Sequence, residues 1–147
     1  MGSSTPLAFK HFSKAQSTFK PPLIANENAF LGDVVTSETY DAEKPISAGF
    51  YRLEKGTPLV YEYTYHEMKI IVEGEFDIED ETGQKVHAVA GDVFYFPKGS
   101  KITFTTPTYG LGFYVSVFLP LFWGAVSDFS ASCEGLETDV SFELESR

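Results

Sequence analysis

The chain has 147 residues, 43% of them hydrophobic and 16% aromatic, with 14 Phe and 8 Tyr. That length suits one domain around one core, and that aromatic content excludes a disordered chain. The formal net charge of −10, with basic residues scattered rather than clustered, argues against nucleic acid or an anionic membrane as a partner.

Residues 1–28 read as an N-terminal arm, in which Phe9, Phe12 and Phe19 stand among polar residues. Pro21 and Pro22 force an extended or turn conformation there. From Ala29 onward, short runs rich in β-branched and aromatic residues alternate with Gly, Pro and Asp turns. The strands expected are Phe30 to Val35, Ile46 to Leu53, Leu59 to Tyr65 and Met68 to Val72. After a turn at Glu73-Gly74 come Glu75 to Ile78, then a hairpin turn over Glu81 to Gln84 and a return strand over Lys85 to Val89. Val93 to Phe96, Ile102 to Thr106 and Leu111 to Phe118 complete the series, with a turn over Pro97 to Ser100. The expected barrel core is 29–118, and 119–147 is expected to pack on it or on a partner subunit. Within that extension, Phe122 to Phe129 suits a short helix after Pro120, and Val140, Phe142 and Leu144 alternate as in a strand.

One cysteine, Cys133, rules out an intrachain disulfide and fits a reducing compartment. The first residues lack a signal-peptide pattern, and the apolar run from Tyr114 to Val126 falls short of the ~20 residues a membrane helix needs. The reading is a cytoplasmic protein. No nucleophile elbow and no phosphate loop occurs.

Two segments carry a family likeness. Glu67 and Gly74 match the E-x6-G half of the first conserved cupin box, G-x5-H-x-H-x3/4-E-x6-G. Gly91, Pro97 and Gly99 match the second, G-x5-P-x-G-x2-H-x3-N. The chain therefore resembles the cupins, and from Ala29 to Val117 it is similar to the ethanolamine-utilisation, EutQ-like group. Ser47 to Phe50, Tyr65 to Glu67, Glu73 to Glu75 and Gly91 to Ser100 are the segments that carry this. The resemblance implies an all-β fold: a single jelly-roll barrel, or double-stranded β-helix. It also implies a homodimer formed through the outer sheet and exchanged terminal strands, and a link to ethanolamine or acetate metabolism; the group's phosphotransfer role is not carried over to this chain, which has no phosphate loop.

The family's metal-binding histidines are missing. Their positions fall at Tyr61 and Tyr63, or one residue earlier at Val60 and Glu62, and at Ile102. Only Glu67 remains of four ligands, too few for a stable transition-metal site, so no cofactor is expected. His66 is the one nearby substitute, but neighbouring strand residues face opposite ways. A metal site of Glu67, His66 and Glu62 would need a bulge. His87 reads as structural or exposed, and His11 carries no role.

Regular alternation puts Tyr61, Tyr63, Tyr65, Glu67 and Lys69 on one face, which in the resembling family looks into the barrel. Glu67, Lys69 and Tyr65 are the candidate catalytic set. Tyr51, Tyr61, Tyr63, Ile102 and Phe104 are the candidate ligand-binding lining. Such a set suits metal-independent acid/base chemistry of the lyase, isomerase or cyclase kind on a small molecule. Two alternatives stand beside it: a non-catalytic binding or scaffold protein, and a metal-dependent cupin with atypical ligands. A Glu–Lys pair on a strand also serves as a structural ion pair.

Overall fold

The computed structural model describes residues 5–117. The expected extension over 119–147, with its helix, its alternating tail and Cys133, lies outside the described residues. The elements are α1 (Ala15–Thr18), β1 (Leu23–Ala25), β2 (Ala29–Thr36), β3 (Ser47–Glu54), β4 (Leu59–Glu62) and β5 (Glu67–Asp80). They are followed by β6 (Lys85–Val89), β7 (Val93–Phe96), β8 (Lys101–Thr105) and β9 (Tyr109–Ser116). All pairings are antiparallel, in the order β1-β2-β3-β9-β5-β8-β4, with β6 and β7 also bound to β5. The result is a nearly closed jelly-roll barrel. No described helix is long and apolar enough to cross a membrane.

β5 joins the two halves of the barrel. Its first half pairs with β7 and β9, and its second half with β6 and β8. Between them the register slips at Ile71/Glu73, and Gly74 adopts φ +65°. A bulge adds one residue, so the inward side changes from Glu67, Lys69 and Ile71 to Phe76 and Ile78. The turn expected at Glu73-Gly74 is this bulge inside one 14-residue strand. The opposite correction applies to Leu59–Tyr65: β4 ends at Glu62 and the chain bends through Tyr63–His66 before β5.

Packed rings run through the barrel core among aliphatic side chains such as Leu53, Ile71 and Ile102. Tyr51 lies on Phe76 with centroids 5.7 Å apart, Phe96 lies on Tyr63 at 5.0 Å, and Phe104 meets Tyr51 edge-on at 5.4 Å. Such offset and edge-to-face pairs are the favoured aromatic geometries. Outside, part of the expected arm docks on the sheet. Phe19 contacts the Phe50 ring at 6.3 Å, the Pro22 carbonyl accepts the Leu31 N–H, and Gln16 donates to Glu73. Gly32 makes the fit, because a Cβ there would press into Pro22 and Phe19. β1, inside the expected arm, pairs with β2.

Candidate functional site

The bend after β4 and the start of β5 bring the polar residues together. The Tyr63 N–H donates to the Ser100 carbonyl at 2.8 Å, and the Tyr63 carbonyl accepts the Gly99 N–H, so the Pro97–Ser100 turn fixes the bend. Alternation then carries Glu67 and Lys69 inward, where their side chains are each 4% exposed. Lys69 Nζ lies 2.8 Å from Glu67 Oε1, and the Tyr63 hydroxyl donates to the same oxygen at 3.0 Å. Lys69 Nζ also lies 3.5 Å from Tyr63 Oη.

Three rings surround the ammonium. Tyr51, Phe104 and Phe96 present their faces with centroids 4.7, 5.0 and 5.4 Å from Lys69 Nζ. Cation–π attraction strengthens when the cation is desolvated, so these rings and Glu67 together replace the water that Lys69 has lost. Tyr61 and Tyr65 share a hydroxyl contact of 3.0 Å at the half-buried end of the site.

All the neighbouring phenols are held protonated. Burial pushes Tyr51 and Tyr63 well above the ordinary phenol range, and the Glu67 charge adds to it. Tyr65 and Tyr61 rise for the same leading reason, although its bond to Tyr65 partly offsets the rise at Tyr61. Tyr65, read as catalytic, stands here as a protonated phenol beside Tyr61. A cavity of about 20 Å³ remains between Tyr51, Tyr61, Tyr63, Tyr65, Glu67 and Lys69, lined also by Ile24, Leu31, Leu59 and Phe104. That is room for a water molecule.

The structure thus gathers Glu67, Lys69, Tyr65, Tyr51, Tyr61, Tyr63 and Phe104 around one cavity. Ile102 is buried in the core but does not line it. Glu62 and His66 face outward and are exposed, so the trio Glu67, His66 and Glu62 is not brought together. His66 Nδ1 accepts the Lys98 N–H at 3.2 Å and lies 2.9 Å from Tyr95 Oη on the outer surface. Among the described residues no group of three His, Cys, Asp or Glu is placed to hold a metal. The residues at the cupin ligand positions do not fit one: Tyr61 and Tyr63 are protonated phenols, Ile102 is aliphatic, and Glu67 already has an ammonium at 2.8 Å.

Sequence reading missed Phe96, Tyr114 and Asp33. Tyr114 on β9 sits opposite Lys69 and donates to Asp33 Oδ1 at 2.7 Å. Burial, and then the Asp33 bond, raise its phenol above the ordinary range. Inward alternation within β9 was readable, but its pairing with the first half of β5 is long-range and left no local signal.

An antiparallel jelly-roll barrel with its polar cluster at the start of the central strand defines a cupin-type protein. The family described as "Ethanolamine utilisation protein EutQ" matches residues 25–124, and the chain belongs to that family. The chain is 33% identical over 84 residues to an acetate kinase EutQ from Clostridioides difficile strain 630, covering 56% of this chain and 53% of that one. It covers 32% and 30% of two further relatives of that name, so it spans about half, or less, of the length of the curated relatives it matches. A crystal structure of a putative ethanolamine utilization protein Q from Salmonella typhimurium LT2 matches at 34% identity and TM-score 0.52, over 60% of this chain and 68% of that one. A cupin superfamily protein from Desulfitobacterium hafniense DCB-2 shares the fold at 14% identity and TM-score 0.51, over 63% and 79%.

Proposed function

We propose that this barrel binds a small molecule and that Glu67, set by Lys69 and Tyr63, moves a proton on it without a metal. One observation carries the reading: a Glu–Lys pair 2.8 Å apart, each side chain 4% exposed, sits in a barrel otherwise filled mainly with aromatic and aliphatic side chains. Desolvating two charges costs more than their attraction returns unless the geometry is good, and an apolar pair of similar volume is commonly as stable. Stability alone gives little reason to keep such a pair, whereas acid/base chemistry gives a direct one. The protonated phenols supply donors for a polar substrate and leave the proton transfer to Glu67 and Lys69. A lyase, isomerase or cyclase reaction fits this set.

The size of the cavity favours a second reading, that of a binding or scaffold protein. About 20 Å³ admits a water but no metabolite unless Tyr61 or Tyr65 swings outward. The relatives' acetate kinase activity is not proposed for this barrel. Its substrates are anionic, and the one buried cation among the described residues, Lys69, is already paired with Glu67.

A ligand screen by NMR, followed by turnover assays on the hits, separates the readings. Hits should bind Glu67→Gln and Lys69→Met at least about tenfold more weakly, a loss of about 1.4 kcal/mol. Turnover that both variants abolish supports the enzyme. Binding without turnover supports the scaffold. Full binding and turnover in both variants would remove the site.

A further inference from the structure

Lys69 is a primary amine in the wall of the cavity, beside Glu67, Tyr63 and Tyr65. Every other lysine of the chain is exposed, whereas Lys69 is 4% exposed. A desolvated lysine with a base at hand is a nucleophile toward carbonyl compounds, with which it forms an imine. Glu67 Oε1 is such a base. It lies 2.8 Å from Lys69 Nζ, so the proton that frees the amine crosses one hydrogen bond and stays in the site. The protonated phenols of Tyr63 and Tyr65 on the same wall are hydrogen-bond donors for a carbonyl oxygen.

Two further features suit the product. The faces of Tyr51, Phe104 and Phe96, with centroids 4.7, 5.0 and 5.4 Å from Nζ, stabilise a cation at that nitrogen. An iminium ion carries the same single charge as the ammonium it replaces, so the rings and Glu67 serve both. The cavity of about 20 Å³ then limits the size, because it has room for one water-sized group. The iminium of formaldehyde adds a single carbon to Nζ, and the carbonyl oxygen departs as water. Longer aldehydes need room that Ile24, Leu31 and Leu59 occupy.

We propose that Lys69 forms a reversible imine with aldehydes of one or two carbons. Lys69 gives one proton to Glu67, and the freed lone pair on Nζ bonds to the carbonyl carbon. The C=O π pair moves to the oxygen, which takes a second proton from the nitrogen. Glu67 returns its proton to that hydroxyl, the C–O bond breaks, and water leaves. The nitrogen lone pair closes the C=N bond. The ammonium and the aldehyde have become an iminium and water, with Glu67 again a carboxylate. The step rests on the site of the proposed function and adds a covalent bond to it.

The test treats the native full chain with limiting formaldehyde and cyanoborohydride, which reduces an imine to a stable N-methyl group. Mass spectrometry then maps the label on each lysine. Lys69 should react at least about tenfold faster than the exposed lysines, because a positioned base assists it alone. Its lead should shrink with acetaldehyde and vanish with benzaldehyde, and it should vanish for formaldehyde when the chain is unfolded in urea. A lysine that is merely buried reacts last, so labelling of Lys69 no faster than the exposed lysines overturns the imine. A lead kept with benzaldehyde overturns it too, because the reaction would not then occur in this cavity. If Lys69 lags while screened ligands still depend on Glu67, the imine falls and the proton-transfer reading stands. If Lys69 leads and no ligand depends on Glu67, the imine stands and that reading falls.

Discussion

Lys69 and Glu67 show how a charge survives in a dry interior: each supplies what water would have given the other. Replacing the lysine alone leaves Glu67 buried, with only Tyr63 donating to it among the bonds described. Breaking a buried pair this way costs about 3–5 kcal/mol, whereas neutralising both partners costs far less. Lys69→Met should therefore lose stability on that scale in urea denaturation, and Glu67→Gln with Lys69→Met should recover most of it. Equal stability of the single variant and the native protein would show that the pair is not buried. His87 offers a contrast at the surface. Its hydrogen bond to Asp77 Oδ1 at 2.7 Å, and then the Asp77 and Glu75 charges, raise its pKa from 6.5. A raised folded-state value means that His87 stabilises the fold fully below its unfolded pKa, and that this contribution disappears as pH climbs through the folded pKa. An NMR titration of the ring should give a midpoint above 6.5, and Asp77→Asn should bring it down.

β5 is the element on which the site depends, because one strand carries both the Glu67–Lys69 pair and, past its bulge, the Phe76 and Ile78 core positions. Gly74 permits this. It lies at φ +65°, and a Cβ there would meet the Tyr109 carbonyl on the paired strand. Gly74→Ala should cost at least about 1–3 kcal/mol from backbone strain alone, measured as a shift in the denaturation midpoint. A neutral result would mean that the bulge relocates. Local alternation made most strands legible, since β3, β6, β7 and β8 fall within a residue of their sequence reading. It misled at Glu73-Gly74, where a parity change looks the same in sequence whether it marks a turn or a bulge. The five inward residues from Tyr61 to Lys69 were also legible, although two elements and a bend hold them rather than one strand. Tyr114 was not, because its nearness to Lys69 comes from strand pairing across the chain.

At the scale of the whole molecule, the outer face of the β5–β7 pair is the surface left to explain. Met68 opposes Tyr95 and Ile70 opposes Val93, and these four are 62%, 56%, 37% and 71% exposed. Farther along the same sheet, Phe19 and Pro22 of the arm cover Phe50 and Gly32, while Leu7 and Phe9 of that arm remain exposed. β7 is also an edge, pairing with β5 alone among the described strands. We propose that a second copy covers this face, because a two-fold axis lets one patch meet itself, buries its apolar side chains and shields the β7 edge. The four side chains alone fall short of the roughly 800 Å² per partner of a stable interface, so the exposed start of the arm should contribute. Sedimentation at micromolar concentration should give a dimer. Met68→Glu and Tyr95→Glu should each shift it to monomer, because two like charges would then meet across the axis, whereas Glu79→Lys on the other half of the barrel should not. A native protein that sediments only as monomer would leave this apolar face to a different partner and end the proposal.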